Sequence, residues 1–131
     1  MPGPKVILSA SADTSVREQV SRALKGIEEC SLIWLKSGAD LLLHILDREI
    51  ALAIIDESVA ELGGAKLVKI IKKTRPKIPL IVISSLRNDD ELIEMLEEGI
   101  FYFLVTPISE NELREAVISA LKFRTKGLTT R

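Results

Sequence analysis

The sequence has little of several features that mark whole classes of protein. One cysteine, Cys30, stands among 131 residues, which excludes an intrachain disulfide. The 18 basic and 19 acidic side chains nearly cancel, so the positive excess typical of proteins that bind nucleic acid or anionic membranes is absent. No apolar run approaches the roughly 20 residues of a membrane-spanning helix, and residues 1–4 do not resemble a secretory signal. We therefore expect a cytoplasmic domain that contacts neither membrane nor nucleic acid.

Apolar side chains are abundant and occur in short runs. Hydrophobic residues make up 47% of the chain and charged residues 28%, a composition that fits one compact domain. The short apolar runs alternate with longer segments of helical period, the pattern of strands joined by crossover helices in a parallel sheet. The five predicted strands cover residues 6–8, 30–35, 50–55, 80–83 and 101–105.

Helix starts and ends are indicated by capping residues between these strands. Ser15 with Glu18 forms a possible capping box at the first helix, and Ser109 with Glu112 caps the last, which reaches about residue 123. The three helices between them are predicted at 38–48, 65–73 and 88–99. The predicted domain spans 1–124, followed by a C-terminal tail at 125–131.

Polar residues follow four of the predicted strands. In an open parallel sheet, chemistry is expected at the carboxyl ends of the strands, near the switch in strand order. Four loops would meet at that edge. They supply Ser11, Ala12 and Asp13 after the first strand, Asp56 to Ser58 after the third, Ser84 and Ser85 after the fourth, and Thr106 with Pro107 after the fifth.

This constellation, set in five strand–helix units, resembles the receiver domain of two-component response regulators over essentially the whole chain. The resemblance implies an α/β, flavodoxin-like (βα)5 three-layer sandwich whose five-stranded parallel sheet has the strand order 2-1-3-4-5. It also implies a phosphoacceptor at Asp56, a switch hydroxyl at Ser84 and a switch aromatic at Phe103. The peptide bond between Thr106 and Pro107 is then expected to be cis.

Besides Ala60, which stands where the family usually has a proline, three positions depart from the family pattern, and these three concern the binding or supply of positive charge. The paired acidic residues that hold a divalent ion fall on Ser11 and Ala12, and the lysine of the family falls on Thr106. Phosphoryl transfer to a carboxylate brings anions together and depends on cations, and loss of one such partner typically costs about 3 kcal/mol of transition-state stabilisation. The oxygen ligands left for a weakly held Mg²⁺ are those of Asp56, Ser58 and Asp13, a poor set for this ion.

These departures predict an atypical receiver with impaired phosphorylation that acts through protein contacts and is not an enzyme. The alternative is a functional receiver that a histidine kinase phosphorylates on Asp56, with phosphoryl transfer and autodephosphorylation as its only chemistry. Two other residues bear on this choice. Asp13 is either the N-cap of the first helix or a metal ligand, and Arg87 is either a replacement cation or a solvated loop residue. Glu57 is expected to face away from Asp56, since neighbours in an extended chain face opposite sides.

Three consecutive aromatic residues, Phe101, Tyr102 and Phe103, lie on the predicted fifth strand. Because successive side chains alternate between the faces of a strand, at least one ring leaves the main core side. The family uses the face formed by the fourth helix, fifth strand and fifth helix for dimers and effectors. The expected partners are therefore a sensor kinase, an effector or a second copy, although helices covering both sides would make the rings ordinary core.

Overall fold

Alternating strands and helices build the chain. The computed structural model describes residues 3–61, 63–85 and 89–129, with the side chains of the same ranges apart from 89 and 123–129. The strands in these ranges are β1 (Lys5–Ala10), β2 (Cys30–Leu35), β3 (Leu52–Asp56), β4 (Leu80–Ser84) and β5 (Tyr102–Val105). The helices are α1 (Thr14–Leu24), α2 (Gly38–Asp47), α3 (Gly64–Thr74), α4 (Asp89–Glu98) and α5 (Glu110–Thr129), and a 3-10 turn, Glu57–Val59, follows β3.

The strands form one parallel sheet in the order β2-β1-β3-β4-β5, which confirms the predicted strand order and fold class. Every residue of β3 and of β4 is buried, because helices cover both faces of the sheet. The chain progresses in opposite directions from the centre of the sheet, since β2 lies on one side of β1 whereas β3, β4 and β5 lie on the other. The loops after β1 and β3 therefore start side by side. This reversal brings the segment after Ala10 next to Asp56.

Two apolar cores lie on opposite faces of the sheet, because side chains alternate along each strand. Leu8, Ala53 and Val82 point to the face covered by α2, α3 and α4, where they meet Leu41 and Ile71. The other face is covered by α1 and α5. Its core includes Ile7, Ile54, Ile81, Val20 and Val117.

The boundaries of most elements differ from the sequence prediction by one or two residues, and three differences are informative. Asp13, and not Ser15, caps α1: its carboxylate accepts from the backbone N–H of Ser15 at 2.8 Å, so the Ser15–Glu18 capping box was wrong. The third strand starts at Leu52, two residues later than predicted. Helix α5 continues to Thr129, beyond the predicted end near 123. The division between a domain at 1–124 and a tail at 125–131 stays a prediction.

None of the helices in the described ranges combines the length and the apolar character that crossing a lipid bilayer requires.

A pair of leucines on α2 tests where the core lies. Leu41 is fully buried and Leu46 is 59% exposed. We expect Leu41→Ala to lower the free energy of unfolding by about 3 kcal/mol, because it leaves a cavity between α2 and the sheet. Leu46→Ala should change it by less than about 0.5 kcal/mol. Urea unfolding followed by circular dichroism measures both, and equal losses would contradict this assignment of the core.

Candidate functional site

Asp56 is the last residue of β3 and lies at the carboxyl edge of the sheet, between β1 and β4. Asp56 is only 4% exposed, although it lies where the strands give way to loops. A buried carboxylate needs hydrogen-bond donors or cations, because removal from water otherwise costs several kcal/mol. The partners of this carboxylate therefore define the site.

Two serine hydroxyls donate to the same oxygen of Asp56. Ser11 Oγ lies 2.8 Å from Asp56 Oδ2, and Ser58 Oγ lies 2.5 Å from it. Ser11 is 1% exposed and comes directly after β1, where the strand reversal brings it next to Asp56. Ser58 reaches back from the 3-10 turn that follows β3. Among the described residues, two hydroxyl donors thus bind this oxygen.

The hydroxyl of Ser58 also accepts a hydrogen bond from the backbone N–H of Ala12, at 2.8 Å. The hydroxyl of Ser11 similarly accepts from the backbone N–H of Asp13, at 3.0 Å. These contacts fix the loop after β1 against the turn after β3. Asp13 directs its Oδ1 atom to the start of α1, which is the N-cap arrangement that the sequence offered as one of two roles.

Glu57 carries the second carboxylate of the site and binds the loop after β4. Its Oε1 accepts from Ser84 Oγ at 2.8 Å and from the backbone N–H of Ser85 at 3.1 Å, and its Oε2 accepts from Ser85 Oγ at 2.8 Å. The hydrogen bond from Ser84 is the main reason that the pKa of the Glu57 carboxyl lies below its usual range, with burial opposing and the bonds from Ser85 adding. The predicted switch hydroxyl is therefore engaged with Glu57.

A groove of about 170 Å³ opens beside this contact, between α3 and α4. Glu57 and Ser84 line its upper end, and Glu91 and Met95 of α4 line its wall. Glu91 Oε2 also accepts from the backbone N–H of Ala65 at 3.3 Å, at the start of α3. The first turn of α3 is thus held by α4.

Thr106, the residue predicted to replace the family lysine, directly follows β5. Its backbone N–H donates to Ser84 O at 3.1 Å, and its bond to Pro107 is cis, as predicted. Arg87, the candidate replacement cation, lies outside the described residues. Within the described ranges, no group of three or more histidine, cysteine, aspartate or glutamate side chains is placed to hold a metal ion.

The three aromatic residues near β5 divide between three environments. Phe103 packs against the core under α2, α3 and α4, and Phe101 packs against the core under α1 and α5. Tyr102 is 37% exposed and donates to Glu112 Oε2 at 2.6 Å. This hydrogen bond, together with the nearby charges of Glu112 and Glu115, raises the pKa of the Tyr102 hydroxyl. Phe101 and Phe103 are thus partly buried against the two cores, whereas Tyr102 is exposed.

Sequence reasoning identified the loops of this site but missed two contacts. Ser58 was considered only as a metal ligand, whereas its hydroxyl is a donor to Asp56. Glu57 was expected to face away from Asp56, and its hydrogen bonds do go to the loop after β4, but these contacts with Ser84 and Ser85 were not predicted. The usable signal was the occurrence of two carboxylates and a serine at the end of β3 and of two serines at the end of β4, since each serine can donate to a carboxylate in a neighbouring loop.

Comparison with known proteins gives a consistent result. The family model of the response regulator receiver domain matches residues 7–118. The transcriptional regulatory protein GlrR of Escherichia coli K12 is 30% identical over 96 residues, which cover 72% of this chain and 21% of GlrR. ZraR of Salmonella typhimurium is 28% identical over 85 residues, which cover 65% of this chain and 19% of ZraR. The chain spans about a fifth of the length of these curated relatives.

Solved structures share the fold. A response regulator receiver domain protein of Methanospirillum hungatei superposes with a TM-score of 0.84 at 20% identity, covering 95% of this chain and 99% of that chain. The signal receiver domain of an HD domain-containing protein of Pseudomonas fluorescens gives a TM-score of 0.87 at 18% identity, covering 98% and 95%. At these identities the likeness concerns the fold.

Removal of one hydroxyl tests the hydrogen bonds around Asp56. Ser58→Ala should lower the free energy of unfolding by about 1.5 kcal/mol, because the carboxylate loses a donor and Ala12 N–H loses an acceptor. Ser21→Ala, at an exposed position of α1, is the matched control and should change it by less than about 0.5 kcal/mol. Urea unfolding measures both variants. Equal changes in their free energies of unfolding would mean that the hydrogen bonds of Ser58 do not stabilise the fold.

The lowered pKa of Glu57 predicts a pH dependence of stability. A carboxyl whose pKa is lower in the folded state stabilises the fold above its unfolded pKa, and this contribution is lost as the pH falls through the folded pKa. Glu57→Gln should therefore be less stable than the wild type at neutral pH, with the difference shrinking in acid. Urea unfolding across an acid-to-neutral series measures it. The control is Glu61→Gln, at an exposed position of the same loop. The prediction would be contradicted if the free energies of unfolding of Glu57→Gln and the wild type differed by the same amount at every pH.

Proposed function

Because this chain belongs to the response regulator receiver family of two-component systems, we propose that it is an atypical receiver that signals through protein contacts. In this proposal Mg²⁺-dependent phosphorylation of Asp56 is weak or absent, and the domain is not an enzyme. The observation that carries the proposal is the environment of Asp56. Its Oδ2 accepts two hydroxyl hydrogen bonds, from Ser11 and Ser58.

The charge balance around Asp56 supports slow chemistry. A phosphoryl group arriving at this carboxylate would bring further negative charge into a site where Asp56 is already buried and Glu57 is close in sequence. Preorganised cations are what normally offset such charge in a transition state. Thr106 supplies no positive charge where the family has a lysine.

The donor set around Asp56 also fits a magnesium ion poorly. Mg²⁺ demands near-octahedral coordination by oxygen atoms and is usually held by one or two carboxylates with water. Ser11 uses its hydroxyl to donate to Asp56, and Asp13 is directed to the N-terminus of α1. We therefore propose that this site takes up Mg²⁺ weakly at most.

The contact between Glu57 and Ser84 supports the same conclusion. Ser84 is the hydroxyl that would have to reach a phosphoryl group on Asp56, and its proton is donated to Glu57 Oε1. The carboxylate of Glu57 thereby holds the loop after β4 through Ser84 and Ser85. Phosphorylation would have to break this contact before it could reposition the loop.

Partner binding is proposed for the face formed by α4, β5 and α5. Tyr102 and Val105 of β5 and Ile93 and Leu96 of α4 are apolar or aromatic side chains that stay exposed, between 37% and 53%. Such a patch suits docking of a sensor kinase, an effector domain or a second copy.

The composition supports a cytoplasmic location for this domain and no contact with nucleic acid, because its net charge is −1 and it has one cysteine.

The runner-up is a functional receiver that a histidine kinase phosphorylates on Asp56. The position of Asp56 at the carboxyl end of β3, with Ser84 at the end of the adjacent strand, favours it. The two functions differ in whether the wild-type chain forms a phosphoryl adduct.

Restoring the missing charges tests the proposal. Incubated with Mg²⁺ and acetyl phosphate, the wild type should form an adduct at least about a hundredfold more slowly than the variant Ser11→Asp/Ala12→Asp/Thr106→Lys. The reason is that the variant regains both the anionic ligands of a metal ion and an ammonium group. Intact-protein mass spectrometry over time measures adduct formation.

The control for this experiment is Asp56→Asn in both backgrounds, which should abolish the adduct. A stoichiometric adduct on the wild-type chain that Asp56→Asn removes would reject the atypical receiver and establish the runner-up.

A further inference from the structure

Strand β2 forms one edge of the sheet, so its outer side has no neighbour among the described strands. Its six residues, Cys30–Leu35, include no charged residue and no proline. The first five are only partly buried, whereas every residue of the inner strands β3 and β4 is buried. Charged residues and proline are common protections of an edge strand, and without them such an edge is a template for pairing with another chain.

The backbone groups of β2 divide between its two sides. The carbonyl oxygen of Glu29 accepts from Lys5 N–H at 2.8 Å, and that of Leu35 accepts from Ser11 N–H at 2.9 Å. The odd-numbered residues of β2 therefore direct their backbone groups to β1. Because these groups alternate in direction along a strand, the even-numbered residues direct theirs away from the sheet. They are Cys30, Leu32 and Trp34.

The two ends of β2 carry opposite charges. Glu28 and Glu29 precede the strand and Lys36 follows it, and all three residues are exposed. None of them forms an ion pair with a described residue. An antiparallel copy of β2 would bring the acidic end of each strand to the basic end of the other, whereas a parallel copy would bring like charges together.

We propose that β2 is the edge at which two copies of this chain pair antiparallel, so that their sheets join into one. The two-fold axis stands perpendicular to the sheet and passes beside Leu32. Such an axis keeps each face of the sheet on its own side, so residues opposite each other share a face and the same contacts occur twice. This edge lies at the other end of the sheet from β5, and the pairing does not depend on whether Asp56 is phosphorylated.

The register of the pair follows from the outward backbone groups. With Leu32 opposite its own copy, Cys30 lies opposite the partner's Trp34, and all three outward residues exchange both of their hydrogen bonds. A shift by two residues in either direction places one of them beyond the end of the partner strand. A shift by one residue would set opposite faces together. The register centred on Leu32 also places Glu28 near the partner's Lys36.

Side chains on both faces complete the contact. Leu32 meets its own copy on the face covered by α1 and α5, and Ser31 lies opposite the partner's Ile33 on the other face. Cross-strand pairs of this kind stabilise antiparallel ladders. Single exposed ion pairs contribute little, so the charges at the two ends serve to select an antiparallel second copy as the occupant of this edge.

Cysteine cross-linking tests the register. Residues of a non-hydrogen-bonded antiparallel pair have Cα atoms about 4.5 Å apart, which a disulfide can bridge. Ser31→Cys and Ile33→Cys, each combined with Cys30→Ala, should stay unlinked when oxidised alone, because each position opposes the other. Their equimolar mixture should give a disulfide-linked heterodimer on non-reducing gels. The control mixture replaces Ser31→Cys with Ser21→Cys, at an exposed position of α1, and should not link.

A proline in the strand tests the hydrogen bonds. The N–H of Leu32 points away from β1, so Leu32→Pro keeps the ladder of the monomer and removes two hydrogen bonds of the dimer. At about 100 µM, a concentration suited to a small interface, the wild type should dimerise in sedimentation velocity and Leu32→Pro should be monomeric. Tyr102→Glu, on β5, is the control and should dimerise like the wild type. Circular dichroism melts check that each variant is folded.

Charge changes at the ends of β2 test the same pairing without altering the strand. Glu28→Lys and Lys36→Glu should each raise the dimer dissociation constant about fivefold or more, since like charges then meet at both ends of the pair. The double variant Glu28→Lys/Lys36→Glu restores both opposite-charge contacts and should dimerise like the wild type.

Three outcomes would overturn the proposal. They are a wild type that stays monomeric, a mixture of Ser31→Cys and Ile33→Cys that links no faster than the control mixture, and a double charge variant that dimerises no better than the single ones. Dimers that Tyr102→Glu abolishes and Leu32→Pro leaves intact would likewise reject it and place self-association on β5. The formation of a phosphoryl adduct on Asp56 is measured separately, so failure of this proposal leaves the proposed function untouched.

Discussion

The buried carboxylate of Asp56 is the constraint on which the rest of the site depends. A negative charge at the end of a fully buried strand needs compensation, and this chain provides it with the hydroxyls of Ser11 and Ser58. Because Ser58 also binds Ala12, the same contacts set the path of the loop after β1. The geometry of the carboxyl edge thus follows from the need to satisfy one oxygen atom.

A second carboxylate extends this network to the next strand. Glu57 begins the turn that positions Ser58, and its side chain holds Ser84 and Ser85 at the end of β4. Asp56 and Glu57 are consecutive, yet they bind loops on opposite sides of β3. The turn after β3 therefore joins the loops after β1 and β4, the strands on its two sides, through side-chain hydrogen bonds.

The fold could be predicted further from the sequence than the site could. Short runs that are apolar throughout, such as 80–83, are typical of strands buried on both faces of a parallel sheet, and resemblance to a known family supplied the strand order. The role of Asp13 as an N-cap was available from residue type and position alone. The donor role of Ser58 was not, because it depends on the distance between two loops that the strand reversal brings together. The bonds of Glu57 to Ser84 and Ser85 were likewise not predictable, because they depend on how close the turn after β3 lies to the end of β4.

The two donors to Asp56 also bear on how the presence of an aspartate at this position should be interpreted. An apolar replacement would leave the Ser11 and Ser58 hydroxyls facing each other without their shared acceptor, inside a tightly packed edge of the sheet. Selection for foldability alone would then be enough to maintain an acidic residue here through long evolutionary drift. The presence of an aspartate at this position can thus be explained by the architecture of the sheet edge alone, apart from any role in transmitting a signal.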